Sequence, residues 1–140
     1  MKRVLVSVGL IGLASAMAMP AFAGKEEREF LKTEVMPAVK TAEANYKSSC
    51  GCALAITVDE ASLKSTSDMR PIKSIAEHVS EGVTGYCTDA ASKKAMCRMK
   101  TLVLAKAAEA AFTFKNGKGV ATTDGQSTPS WEMLTAELDK

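Results

Sequence analysis

The spacing of apolar side chains predicts where helices and strands alternate along this chain. Between residues 25 and 47 they recur every three or four positions, the period of one buried helix face: Leu31, Val35, Val39, Ala42 and Tyr46. Pro37 interrupts this stripe. Because proline lacks an N–H and crowds the preceding turn, we expect a kink or break near Met36.

Alternation with a period of two then predicts a strand over residues 52–58, with Ile56 among the side chains that face the core. The polar residues 59–68 follow as a surface loop. Ser67 or Asp68 is the predicted N-cap of the next helix.

The second helix carries a regular apolar stripe: Ile72, Ile75, Ala76, Val79, Val83 and Tyr86. Pro71 is tolerated if it lies in the first turn. Gly82 and Gly85 each weaken a helix by up to about 1 kcal/mol relative to alanine. They therefore predict either close approach of a neighbouring backbone or fraying towards Cys87.

Alternation returns over residues 98–107 and predicts a second strand with Leu102 and Leu104 on the core side. Asn116-Gly117 then predicts a two-residue type I′ hairpin turn, because both central positions need positive φ. The turn fixes the expected pairs: Lys115 opposite Lys118, Phe114 opposite Gly119 and Phe112 opposite Ala121.

A last helix is predicted after a capping Thr128, with Pro129 at its first position and Trp131 on its apolar face. The elements follow the order α-β-α-β-β-β-α. We expect an α+β fold in which a small, mainly antiparallel sheet of three or four strands packs on about three helices, with two disulfides.

Residues 1–23 have the features of a cleaved secretory signal peptide: Lys2 and Arg3, a short apolar stretch, and Ala21-Phe22-Ala23. Residues 24–140 then form a single domain, and we expect a periplasmic or secreted location. Loss of Lys2 and Arg3 lowers the basic side chains from 18 to 16, equal to the 16 acidic ones. This balance argues against nucleic acid and, after signal cleavage, against a membrane as the partner.

Four cysteines in an exported chain predict paired disulfides. Three connectivities are open. We favour bridges from Cys50 and Cys52 to Cys87 and Cys97, because a Cys-Gly-Cys disulfide closes a tight, strained ring. An antiparallel return of the second helix brings Cys87 back towards the start of the first strand.

Two chemical alternatives use the same sulfurs. Cys50 and Cys52 could form a redox-active dithiol, but they follow a helix C-terminus, where the dipole opposes a thiolate. Copper(I) could bind Cys50, Cys52 and the Met96-Cys97-Arg98-Met99 segment, because that metal prefers thiolate and thioether ligands. Both are weaker hypotheses than structural disulfides.

No catalytic constellation is evident in the sequence. His78 is the only histidine, and we assign it no role. We expect a non-catalytic binding protein without a cofactor that recognises another protein or a small ligand, with an inhibitor or immunity-type factor as one form. The expected contact surface is the hairpin tip, Lys115, Asn116, Gly117 and Lys118, together with the loop 59–68.

Overall fold

The computed structural model describes residues 24–140, so the predicted signal peptide at residues 1–23 lies outside the described part. The first helix contains three consecutive segments: α1 (Lys25–Phe30), a π-helical segment (Leu31–Val35) and α2 (Met36–Cys50). Pro37 lies in the first turn of α2, and the irregularity predicted near Met36 takes the form of the π-helical segment directly before it. Gly51 ends α2 in the left-handed conformation, with φ 82°.

The remaining elements follow the predicted order, with two short additional helical segments. They are β1 (Ala55–Val58), a 3₁₀ turn (Glu60–Ser62), α3 (Thr66–Tyr86), α4 (Ala90–Met96), β2 (Thr101–Lys106), β3 (Ala111–Lys115), β4 (Lys118–Thr123) and α5 (Trp131–Leu138). The α+β class and the four-stranded sheet are confirmed.

The sheet has the strand order β1-β2-β4-β3 and is mixed. The β3–β4 hairpin is antiparallel in the predicted register, with Lys115 opposite Lys118. The pairs β1–β2 and β2–β4 are parallel, so the expectation of a mainly antiparallel sheet holds only for the hairpin. The reason is topological. Helix α3 returns the chain to the starting end of β1, so β2 runs parallel to β1. In the sheet β4 lies between β2 and β3, parallel to β2 and antiparallel to β3.

One hydrophobic core joins the helices to one face of the sheet. Its sheet side includes Ile56, Leu102, Leu104, Phe112 and Ala121, all less than a tenth exposed. The predicted stripe of α3 is buried apart from a half-buried Tyr86. The alternation of apolar side chains therefore predicted correctly which face of β1 and β2 packs on the core.

Tyr46 of α2 anchors the start of β2 from within this core. The side chain is fully buried, and its hydroxyl donates towards the backbone carbonyls of Met96 and Met99, the latter at 3.1 Å. Burial raises the pKa of Tyr46 above its ordinary range. The hydroxyl consequently stays protonated as a donor.

The structure places both predicted helix starts differently. Ser65 is the N-cap of α3, and its Oγ accepts the N–H of Asp68. Pro71 therefore lies inside the helix rather than in its first turn. Ser130, and not Thr128, caps α5. In each case several Ser or Thr side chains are adjacent, and each of them could act as the cap.

The two disulfides join Cys50 to Cys87 and Cys52 to Cys97, as predicted for that set of cysteines. They close loops with sequence separations of 37 and 45 residues. In the loop-entropy model each contributes about 4 kcal/mol. The bridges therefore tie the ends of α2 and α3 and the residues before β1 and β2 into one covalent unit.

Candidate functional site

The hairpin tip is built as its sequence predicts. Asn116 and Gly117 have φ values of 51° and 78°, the left-handed pair that a type I′ turn requires. The parallel register of β2 and β4 brings a third residue to this turn. The backbone N–H of Lys100 donates to the carbonyl oxygen of Gly117 at 2.7 Å. The sequence analysis did not place Lys100 beside this turn.

Lys100, Lys115 and Lys118 together form a cluster that we call the basic tip. All three are exposed. Lys115 and Lys118 are direct cross-strand partners, and like charges in that position oppose pairing. No described residue forms an ion pair with any of the three. The arrangement costs stability without a compensating contact in the chain itself, which is common where a site serves a partner.

Arg98 lies beside the hairpin. Its guanidinium carbon lies 5.2 Å from the centroid of the Phe114 ring. Its Nη1 also donates to the carbonyl oxygen of Leu138 at the end of α5. These contacts hold the exposed Arg98 against β3 and α5, whereas the three lysines have no such side-chain partner.

The sheet face that points away from the core is the second part of the candidate site. A register row crosses all four strands through Thr57, Val103, Val120 and Thr113, which are exposed or half-buried. We call this surface the open sheet face. The four strands contain no aspartate or glutamate. The open sheet face therefore carries small and β-branched side chains, with lysines at one end.

The opposite end of the open sheet face is acidic. Asp59 follows β1, Glu109 follows β2 and Asp124 follows β4, and all three are exposed. Hydrogen bonds from the Ser127 and Gln126 backbone N–H groups lower the pKa of Asp124. Because β1, β2 and β4 run parallel, their starting ends and their final ends lie on opposite sides of the sheet. The surface consequently carries a charge gradient that the near-zero net charge conceals.

The loop 59–68, the other predicted contact segment, is largely structural. Leu63 is fully buried, and the N–H of Lys106 donates to Ser62 Oγ at 2.9 Å. Asp68 is buried and forms a 2.9 Å ion pair with Lys106. Burial of Asp68 by itself would raise its pKa. Hydrogen bonds from the Lys106 side chain and from the backbone at Lys64 and Ser65 outweigh this effect and lower the pKa. The loop thus connects the start of α3 to the end of β2 through these contacts.

The four cysteines leave no free thiol among residues 24–140. Cys50 and Cys87 are buried, whereas Cys52 and Cys97 are half-buried. In this oxidised form neither a Cys50–Cys52 dithiol nor a set of thiolates for copper(I) is present. Within the same residues, no group of three or more His, Cys, Asp or Glu side chains could hold a metal ion.

The comparisons give no relative from which a function could be transferred. The chain matches no family model, no curated protein and no solved structure. None of the helices within residues 24–140 has the length and hydropathy that a transmembrane span requires. The function must therefore be argued from the surface itself.

Proposed function

We propose that the protein is a small, exported, non-catalytic binding protein that recognises another protein through the basic tip and the open sheet face. An inhibitor or immunity-type factor is one form of such a protein. The observation that carries the proposal is the basic tip. Three unpaired lysines are held in register at one end of a sheet face whose strands carry no carboxylate.

The extent of the surface supports a protein partner. The row Thr57, Val103, Val120 and Thr113 crosses four adjacent strands in the middle of the open sheet face. A small molecule is usually bound in a concave pocket, whereas a face that spans a whole sheet suits a protein interface. Single-stranded nucleic acid would be expected to stack on aromatic side chains, and this row has none.

The charges support an acidic partner. Exposed lysines without partners in the free protein gain attraction on binding without first breaking an internal ion pair. Such charges contribute mainly to association rate and orientation, and their effect falls as salt screens them. The acidic residues at the far end of the open sheet face would favour one docking direction over the reverse.

The test is a capture experiment on periplasmic extract with matched charge variants of the mature chain. The tip variant is Lys115→Glu with Lys118→Glu, and the control is Lys40→Glu with Lys93→Glu. The control lysines are also exposed and lie on α2 and α4. Each variant therefore changes the net charge by the same amount.

We expect the wild type and the control to retain the same partner, and the tip variant to lose it while its melting temperature stays within a few degrees of the wild type. Retention should also fall as the salt concentration rises. Equal retention by the tip variant and the control would show that the basic tip is not the contact surface. Loss in both variants would show a general charge effect and would equally contradict the proposal.

A further inference from the structure

A groove on the opposite, helical side of the molecule forms a second site, independent of the basic tip. It runs along α3 beside the segment that links β4 to α5. Two adjoining cavities of about 450 Å³ and 500 Å³ make up the groove, and both include His78 and Thr128 in their lining. Each cavity has the size of a small-molecule site, and the two are open to solvent.

The first half of the groove is polar and can attract an anion. Ser67, Arg70, Ser74 and His78 lie at spacings of three and four along α3 and line one wall. Gly125, Gln126 and Thr128 line the facing wall, and the lining contains no carboxylate. The groove half therefore combines a permanent cation, a titratable imidazole and several hydroxyl or amide donors.

Arg70 is positioned for this role by a contact outside the helix. Its guanidinium carbon lies 5.3 Å from the centroid of the Phe30 ring, in cation–π geometry. The nearby Glu34 carboxylate attracts the guanidinium, but no described residue accepts a hydrogen bond from it, so its N–H groups can donate to a planar carboxylate. His78 is exposed and forms no ion pair or hydrogen bond with a described residue.

The second half of the groove is apolar at its base. Trp131 and Pro129 form its floor, together with Gly82 of α3. The indole is held between neighbours, because it packs edge to face on Tyr86 with ring centroids 6.1 Å apart and lies directly over Gly82. A rigid aromatic floor binds an apolar group with little loss of side-chain entropy.

We propose that this groove binds a small organic anion made of a carboxylate and an apolar body. The carboxylate lies in the polar half, where Arg70 and His78 donate to it. The apolar body lies along the floor at Trp131. Glu81 at the far edge disfavours a second negative charge there, so a monoanion fits better than a dianion.

The groove carries its own reporter, because Trp131 is the only tryptophan in the sequence. The probe is 4-phenylbutyrate, titrated into the mature protein while the Trp131 fluorescence is followed. The matched neutral probe is 4-phenylbutyramide, which has the same body without the charge. We expect saturable binding of the carboxylate and at least tenfold weaker binding of the amide.

The variants assign the charge effect to particular side chains. Arg70→Gln and His78→Gln should each weaken binding of 4-phenylbutyrate at least fivefold. Lys94→Gln removes one exposed cation on α4, away from the groove, and should leave the affinity unchanged. Equal melting temperatures for the four proteins, followed by circular dichroism, exclude loss of folding as the cause.

Backbone amide chemical shifts locate the bound probe. Shifts confined to residues 67–82 and 124–131 support the groove. Equal affinity for the amide and the carboxylate, wild-type affinity of Arg70→Gln, a linear response without saturation, or shifts centred on Lys115 and Lys118 would each overturn the proposal. A failed capture experiment at the basic tip would leave this inference untouched.

Discussion

Two glycines in the last turns of α3 provide a matched test of packing against helix propensity. At Gly82 an added Cβ would lie 2.5 Å from carbon atoms of the Trp131 ring, closer than real Cβ contacts allow. At Gly85 nothing lies within 4 Å of the added atom. Both positions are helical, so Gly→Ala brings a similar propensity gain at each. Only the substitution at Gly82 also meets a neighbour.

The contact with Trp131 gives the two substitutions opposite expected effects on the unfolding free energy. Alanine stabilises a helix interior by up to about 1 kcal/mol relative to glycine, and by less near a helix end. Overpacking against a rigid ring costs about 1 to 3 kcal/mol. We therefore expect Gly82→Ala to destabilise by about 1 to 2 kcal/mol and Gly85→Ala to stabilise by about 0.5 kcal/mol. For a domain of this size, the melting temperature should fall by roughly 3 to 8 °C in Gly82→Ala and rise by about 2 °C in Gly85→Ala.

Thermal unfolding of a protein made of residues 24–140, followed by circular dichroism and by Trp131 fluorescence, measures both effects. A double-mutant cycle adds Gly82→Ala in a Trp131→Leu background, where a smaller, flexible side chain replaces the rigid ring. There the substitution should become neutral or stabilising. If Gly82→Ala raises the melting temperature as much as Gly85→Ala, the ring does not pack on Gly82 as described, and the reasoning fails.

Three further predictions concern buried polar groups and the bridges. Asp68→Asn should lower the unfolding free energy by about 2 kcal/mol near pH 7. Because the folded-state pKa of Asp68 is lowered, this contribution is present above the unfolded-state pKa and disappears as pH falls below about 4. The unfolding free energies of the two proteins, measured by urea titration, should therefore converge in acid. Tyr46→Phe removes a buried donor to two carbonyls and should lower the unfolding free energy by about 1 to 3 kcal/mol in the same assay, whereas a change below experimental error would contradict the geometry. The half-buried Cys52–Cys97 bridge should be reduced before the buried bridge, which mass mapping after limited reduction would show; the reverse order would refute this.

Much of the fold could be predicted where the signal is local. Asn116-Gly117 fixes its own turn, and the turn fixes the register of the hairpin. A simple geometric argument favoured bridges from Cys50 and Cys52 to Cys87 and Cys97, since a helix that packs back on a strand returns to the start of that strand. Which cysteine joins which came only from the structure. For Gly82 the sequence predicted close approach or fraying, and the structure shows an approach by an aromatic ring rather than by a backbone.

The missed features depend on contacts between distant segments. The parallel pairing of β2 with β4 follows from the order in which strands enter the sheet, and no pattern within either strand encodes that order. Lys100 joins the basic tip only through this pairing, so no local sequence signal marks it. The proposed groove was missed for the same reason, because Arg70 and Trp131 belong to segments that are far apart in the chain.

The placement of the two disulfides divides the domain into parts with different freedom to open. The loops closed by Cys50–Cys87 and Cys52–Cys97 overlap and cover α3, β1 and α4, whereas β2, β3, β4 and α5 all follow the last cysteine. The hairpin and the last helix are therefore held only by packing and hydrogen bonds. Their amide hydrogens should exchange through local openings of lower free energy than those of the stapled part. The proposed protein-binding hairpin thus belongs to the section of the chain that can adjust to a partner without disturbing the cross-linked core.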